Sequence, residues 1–226
     1  MKHLAKTIGP AVIAGCFALA SSAAWSAECT PSKYGKDDEI GAANMITPAS
    51  VLAASKLIVK GERHPLGIVV DPNMPAFPPR GMMLQVVQPN QQFGRTLEKD
   101  FGWDSSYNDD VVQTWLGIGP QIDGLGHLGQ AGEFYNCNKG QDFSALTGLK
   151  KLGIHTIPPL VARGVLVNMA KHFGVETMKA GQGIGSDDIK AAAKAQGVTF
   201  KPGDVILLHT GWTDGTLESD PKAWVA

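Results

Sequence analysis

Apolar and polar positions along the chain follow two different periods. Thr47 followed by Pro48 has the form of a helix start, a side-chain cap with proline at the first helical position. Val51, Leu52, Leu57 and Ile58 then give an apolar face, and Lys60-Gly61 closes the predicted helix. A second helix is predicted where Ser186 caps, Asp187 and Asp188 occupy the first turn, Ile189 to Gln196 propagate, and Gly197 ends it. Strand-like runs fall at Leu66 to Val70, at Met82 to Val87, and at Val161 to Met169, the last interrupted by Arg163-Gly164. Val205 to Leu208 is a continuous apolar run and predicts a strand buried on both faces. Helix-period and strand-like segments in this alternation predict an α/β domain.

The polar stretches are equally legible. Residues 28–46 read as an arm or rim loop, and Asp71 to Pro79 is too rich in proline to be a regular element. Residues 89–110 form a polar loop in which Trp103 and Tyr107 either anchor it to the body or wall a pocket; packing is the preferred reading. Lys201 to Asp204 is a turn, and Ser219-Asp220-Pro221 looks like a helix start with little chain after it. Arg163 either pairs with an internal acid, the preferred reading, or fixes a ligand carboxylate.

One stretch stands apart, Trp115 to Gly129, where five glycines and a proline surround Gln121, Asp123 and His127. It suits neither a helix interior nor a regular strand, so it reads as a loop holding its backbone close to something. Gln121 and Asp123 project to the same side of an extended segment, and a glycine bend can return His127 toward them. A carboxylate, an amide and an imidazole on one loop are parts of a catalytic or ligand site; a turn with a self-capping Asp and a surface His is the plainer alternative. Gly181 to Gly185 lacks the lysine of a phosphate-binding loop and reads as the turn before the second helix. His209 reads as a core or rim histidine rather than a catalytic one, and His64, His155 and His172 have no supporting context.

Composition narrows the function classes. The chain has 226 residues, 20 Lys+Arg against 21 Asp+Glu, and 43% hydrophobic content, which suits one globular domain with a core. No basic surplus is present to hold nucleic acid. Residues 1–27 have the layout of a secretory signal peptide: a basic start, an apolar stretch too short for a comfortable membrane span, and small residues for cleavage. The expected product is a periplasmic or secreted domain spanning 28–226, without stable membrane association once the signal is removed. Cys16 falls inside the signal. Cys29 and Cys137 remain, as a disulfide or as two free thiols, and no histidine or helix start is placed to make either a nucleophile.

The loop resembles the signature of the cyclase family, whose best-known members are bacterial kynurenine formamidases. That signature, His-x-Gly-Thr-His-x-Asp-x-Pro-x-His, lies over Gly117 to His127 with Gly119, Asp123 and His127 kept. The resemblance extends to Asp37 to Asn44 with Thr47-Pro48, Phe134-Tyr135-Asn136, Ile157 to Leu166, Lys201 to Val205 and Thr210-Gly211-Trp212. It implies a swivelling β/β/α architecture and a homo-oligomer. It also implies a divalent metal, zinc or manganese, held by the first two histidines and the aspartate, with the last histidine as general acid/base. Here those two histidine positions are Gly117 and Gln121, and Pro120 replaces the threonine. Asp123 and Gln121 are thus the remaining metal candidates, and an amide oxygen is a weak zinc ligand. The family continues past the Thr-Gly-Trp block into segments carrying further ligands, so the resemblance implies a domain truncated at its C-terminal end.

The expected activity is that of a hydrolase cleaving a carbon–nitrogen amide bond in a small molecule, N-formylkynurenine or a related cyclic amide or ester. His127, Asp123 and Gln121 are the catalytic candidates, and Trp115, Tyr135 and Asn136 the substrate-binding ones. In a metal-dependent version a bound water attacks; in a metal-free version Asp123 orients His127, His127 activates water, and Gln121 donates to the oxyanion. The alternative is a secreted, non-catalytic small-molecule-binding member of the same fold.

Overall fold

The computed structural model describes residues 29–225. The expected signal peptide lies outside the described residues. The chain is mixed α/β, with its described strands paired as four two-stranded sheets.

Helix α1 (Pro48–Ser55) starts as its sequence dictates: the Thr47 side chain accepts from the Ser50 amide while the Ser50 hydroxyl accepts from the Thr47 amide. It ends at Ser55, short of the predicted Lys60-Gly61, because its apolar positions find no cover; Leu52, Leu57 and Ile58 are exposed. The run Leu66 to Val70 is not a strand: among the described residues no ladder partner lies beside it, and Leu66 and Val69 face solvent. The proline-rich segment 71–79 is a loop, as expected.

Strand β1 (Met82–Val87) pairs antiparallel with β2 (Asp109–Thr114) in a ribbon running from Met82↔Thr114 to Val87↔Asp109. Short helix α2 (Glu98–Phe101) lies in the connection. There Leu97 is buried and Tyr107 is held by backbone bonds to the Gln91 amide, while Trp103 faces solvent and anchors nothing. After the glycine loop come three compact units: hairpin β3 (Glu133–Phe134) with β4 (Asn138–Lys139), helix α3 (Gly140–Phe143), and hairpin β5 (Ser144–Ala145) with β6 (Gly148–Leu149).

A hydrophobic core cluster forms where β7 (Gly164–Asn168) meets helices α4 (Met169–His172) and α5 (Ser186–Ala195). Alternation along β7 puts Val165 and Val167 inside against Met169, Ala170, Met178 and Ala192, and leaves Leu166 outside. Gly185, one residue earlier than expected, is the N-cap of α5, its amide held by Asp188. Strand β8 (Val205–His209) runs parallel to β7. It is not buried on both faces: Val205 to Leu208 remain 36–45% exposed, since among the described strands only β7 pairs with it. Helices α6 (Trp212–Thr216) and α7 (Pro221–Trp224) come last, and α7 is held by Asp220 capping Ala223 and by the Trp212 indole donating to the Trp224 carbonyl.

Arg163 takes the structural role. Its Nε and Nη2 grip Asp204 at 2.9 and 2.5 Å, and Nη2 also donates to the Thr199 carbonyl, tying the start of β7 to the turn before β8. The Arg163 guanidinium holds the Asp204 carboxyl below its ordinary value, against a burial effect of opposite sign. A carboxylate with a depressed folded pKa contributes stability above its unfolded pKa and loses it as pH falls through the folded value. Thermal melts are therefore expected to show a drop in Tm below about pH 4, and Asp204→Asn is expected to lower Tm at pH 7 while flattening that acid limb.

Candidate functional site

The loop from Trp115 to Gly129 leaves β2 and lies against residues 149–154. Glycine is required where it touches. A Cβ on Gly124 would stand 2.8 Å from the Ile154 nitrogen and 2.9 Å from the Leu152 carbonyl oxygen, both backbone atoms that cannot swing aside. One turn on, the Gly126 amide donates to the Leu152 carbonyl at 3.0 Å and the His127 amide to the Gly124 carbonyl at 3.0 Å. That tight turn returns His127 toward Asp123, and their Nε2 and Oδ1 atoms are 4.0 Å apart. Both side chains are about half exposed, at 51% and 47%. Gly124→Ala is expected to cost roughly 1–3 kcal/mol, the range for overpacking, and to separate the pair; thermal melts and activity measured together check this.

Gln121 completes the group in a different role from the one expected. Its Nε2 donates to both carboxylate oxygens of Asp123, at 3.0 and 3.2 Å, so its amide hydrogens orient Asp123 rather than point at a developing oxyanion. Sequence reasoning also missed Arg80, the residue after the proline-rich loop. Its Nη1 donates to the Gly117 carbonyl at 2.8 Å. A Cβ on Gly117 would lie 2.6 Å from that Nη1 and 3.0 Å from Gln121 Oε1, so guanidinium and amide flank the space that a side chain at 117 would enter. The available signal was the glycine itself, a signature position without a side chain. A cavity of about 360 Å3 opens here, with Arg80, Gly117 and Gln121 on one side and Phe77, Trp212 and Trp224 among its other walls.

The candidate metal ligands are Asp123 and Gln121, one carboxylate and one amide, a weak donor set for zinc. Among the described residues no three His, Cys, Asp or Glu side chains gather as ligands. Asp123 has both oxygens engaged by an amide, and a fixed guanidinium stands beside Gln121, where it repels a cation.

The other sequence candidates are placed elsewhere. Trp115 lines a second, open cavity of about 730 Å3 along the β1–β2 ribbon with Met82, Met83 and Leu116. Tyr135 and Asn136 bind the N-terminal arm. The Tyr135 hydroxyl donates to Asp38 at 2.5 Å, and Asn136 Nδ2 donates to the carbonyls of Gly35, Lys36 and Asp38. Burial raises the Asp38 pKa, but hydrogen bonds from Tyr135, Asn44, Ser32 and the Gly41 amide outweigh it and hold the carboxyl low. Cys29 and Cys137 are joined in a disulfide at the same place. The arm in turn supports the loop: Glu39 accepts from the Leu152 amide at 2.6 Å, and Leu125 packs on Gly41. His209 lies at the rim, with Nε2 4.0 Å from Asp214.

Residues 64–225 match the family described as "Putative cyclase". The chain belongs to the cyclase family. Among solved structures it is similar to one described as a novel cyclase, at 29% identity with a TM-score of 0.72 over 85% of this chain. It spans 64% of the length of that cyclase. No curated protein matches it.

Proposed function

We propose that this cyclase-family domain is a hydrolase that opens a carbon–nitrogen amide bond in a small molecule, an arylformamide such as N-formylkynurenine or a related cyclic amide. The observation that carries the reading is the His127–Asp123 pair, 4.0 Å apart on a loop anchored by close backbone contact and open to solvent. His127 accepts a proton from water as the water oxygen attacks the carbonyl carbon, and the Asp123 carboxylate, oriented by Gln121, stabilises the resulting imidazolium. Collapse of the tetrahedral intermediate breaks the C–N bond, His127 returns the proton to the departing nitrogen, and the products are a carboxylic acid and a free amine. The disulfide fits an oxidising compartment, which supports a periplasmic or secreted setting.

Gly117 and the guanidinium beside it favour a second reading, a pocket that binds its ligand without turning it over. Formate release from N-formylkynurenine by the purified protein distinguishes the two. Turnover that disappears in His127→Ala supports the hydrolase; saturable binding with no turnover, unaltered in His127→Ala, eliminates it.

A further inference from the structure

We infer that the cavity beside the glycine loop takes an aromatic carboxylate, with Arg80 gripping the acid and Phe77, Trp212 and Trp224 enclosing the ring. This deepens the proposed hydrolase reading by naming its substrate class. It rests on that reading only for the turnover step, not for binding.

Arg80 is a half-buried cation on a cavity wall, and among the described residues no carboxylate lies within ion-pair distance of it. The Gly117 carbonyl fixes one guanidinium nitrogen, Nη1, at 2.8 Å. No protein group among the described residues accepts from Nε or Nη2, so that edge keeps the parallel pair of N–H donors that matches a carboxylate. The guanidinium carbon also lies 6.0 Å from the centre of the Phe77 ring, at the outer limit of a cation–π contact. A partly buried cation with an unused fork offers an arriving anion two parallel donors that no protein group among the described residues occupies.

The rest of the cavity selects for a ring. The Trp212 indole donates to the Trp224 backbone carbonyl at 3.1 Å and the Trp224 indole to the Thr213 hydroxyl at 3.4 Å, so each of these flat aromatic side chains in the wall has its own hydrogen bond. A volume of about 360 Å3 lies at the small end of the range for ligand sites, roughly 300–1,000 Å3, and suits a one- or two-ring acid. Gln121 joins this wall to Asp123, so a bound acid lies next to the loop that carries His127.

Isothermal titration with indole-3-carboxylate and with its uncharged match, indole-3-carboxamide, tests the inference. The carboxylate is expected to bind at least about 10-fold more tightly, the scale of one charge-assisted bidentate contact. Arg80→Gln should abolish the preference. Gly117→Ala should weaken it by pushing the guanidinium out of its present seat, with little effect on folding because the three nearest atoms a Cβ would meet belong to the ends of side chains. Should Arg80→Gln fail to fold, Arg80→Lys decides, since it keeps the charge but loses the fork and must lose most of the preference. Equal affinity for the two ligands, no binding of either, or a preference that survives these substitutions overturns the inference. Because the readout is binding, it separates from turnover. A selective pocket in a protein that hydrolyses nothing leaves this inference standing and sinks the hydrolase; turnover without selectivity does the reverse.

Discussion

Replacement of His127 by alanine is expected to lower kcat for amide hydrolysis by roughly 10²–10⁴-fold, the usual contribution of a positioned general acid/base. KM should change little, because His127 does not line the cavity proposed to hold the substrate, whereas Arg80 and the two tryptophans do. That split matters more than the size of the loss. A residue that merely supported the loop would lower stability and raise KM together when truncated. His127 is half exposed and its backbone amide, not its side chain, makes the turn-closing bond to Gly124, so the truncated loop should keep its shape. Steady-state kinetics with a thermal melt of the variant check both parts, and a large rise in KM with unchanged kcat would remove His127 from the chemistry.

The second large effect is on stability. Cys29 and Cys137 are 108 residues apart, and their bond closes a loop that contains β1, β2, Arg80 and the glycine loop with His127 and Asp123. Restricting so long a loop in the unfolded chain is worth about 4–5 kcal/mol by chain entropy, and measured removals from small secreted domains cost about 2–5 kcal/mol. Cys137→Ser is expected to fall in that measured range, and Cys29→Ser to match it, with the double substitution no worse than either alone. Urea unfolding with and without reductant reads this directly; identical midpoints in the two conditions would show that the bond contributes nothing. Activity should fall as well, since the disulfide holds the arm that carries Glu39 and Gly41 against Leu152 and Leu125.

What was legible in the sequence was local. The start of α1 is set by Thr47 and Pro48 because a cap involves only neighbouring residues, and the turn ending at Asp204 and the α7 start are legible for the same reason. The pairing of His127 with Asp123 was legible because four residues and a glycine bend suffice to make it. What failed depended on distant parts of the chain. Val205 to Leu208 has the composition of a central strand, but burial is decided by what lies alongside, and among the described strands only β7 does. Leu66 to Val70 has strand-forming residues but, among the described residues, no partner. Gln121 lies where expected, yet hydrogen-bond direction changed its role from oxyanion donor to support for Asp123. Arg80 was invisible because its significance rests on Gly117, 37 positions away. The role of Asp38 in the Asp37–Asn44 block likewise emerged only once Tyr135 and Asn136 were seen to close on it.

The imidazole of His127 and the carboxylate of Asp123 are proposed to act as one catalytic unit, and a double-mutant cycle on kcat/KM reads that coupling itself. His127→Ala, Asp123→Asn and the double variant are compared with the parent protein in formate release from N-formylkynurenine. Strongly non-additive losses are expected, the double variant being about as slow as His127→Ala alone. Losses that simply multiply, or an Asp123→Asn variant as active as the parent, would contradict a shared role for the pair.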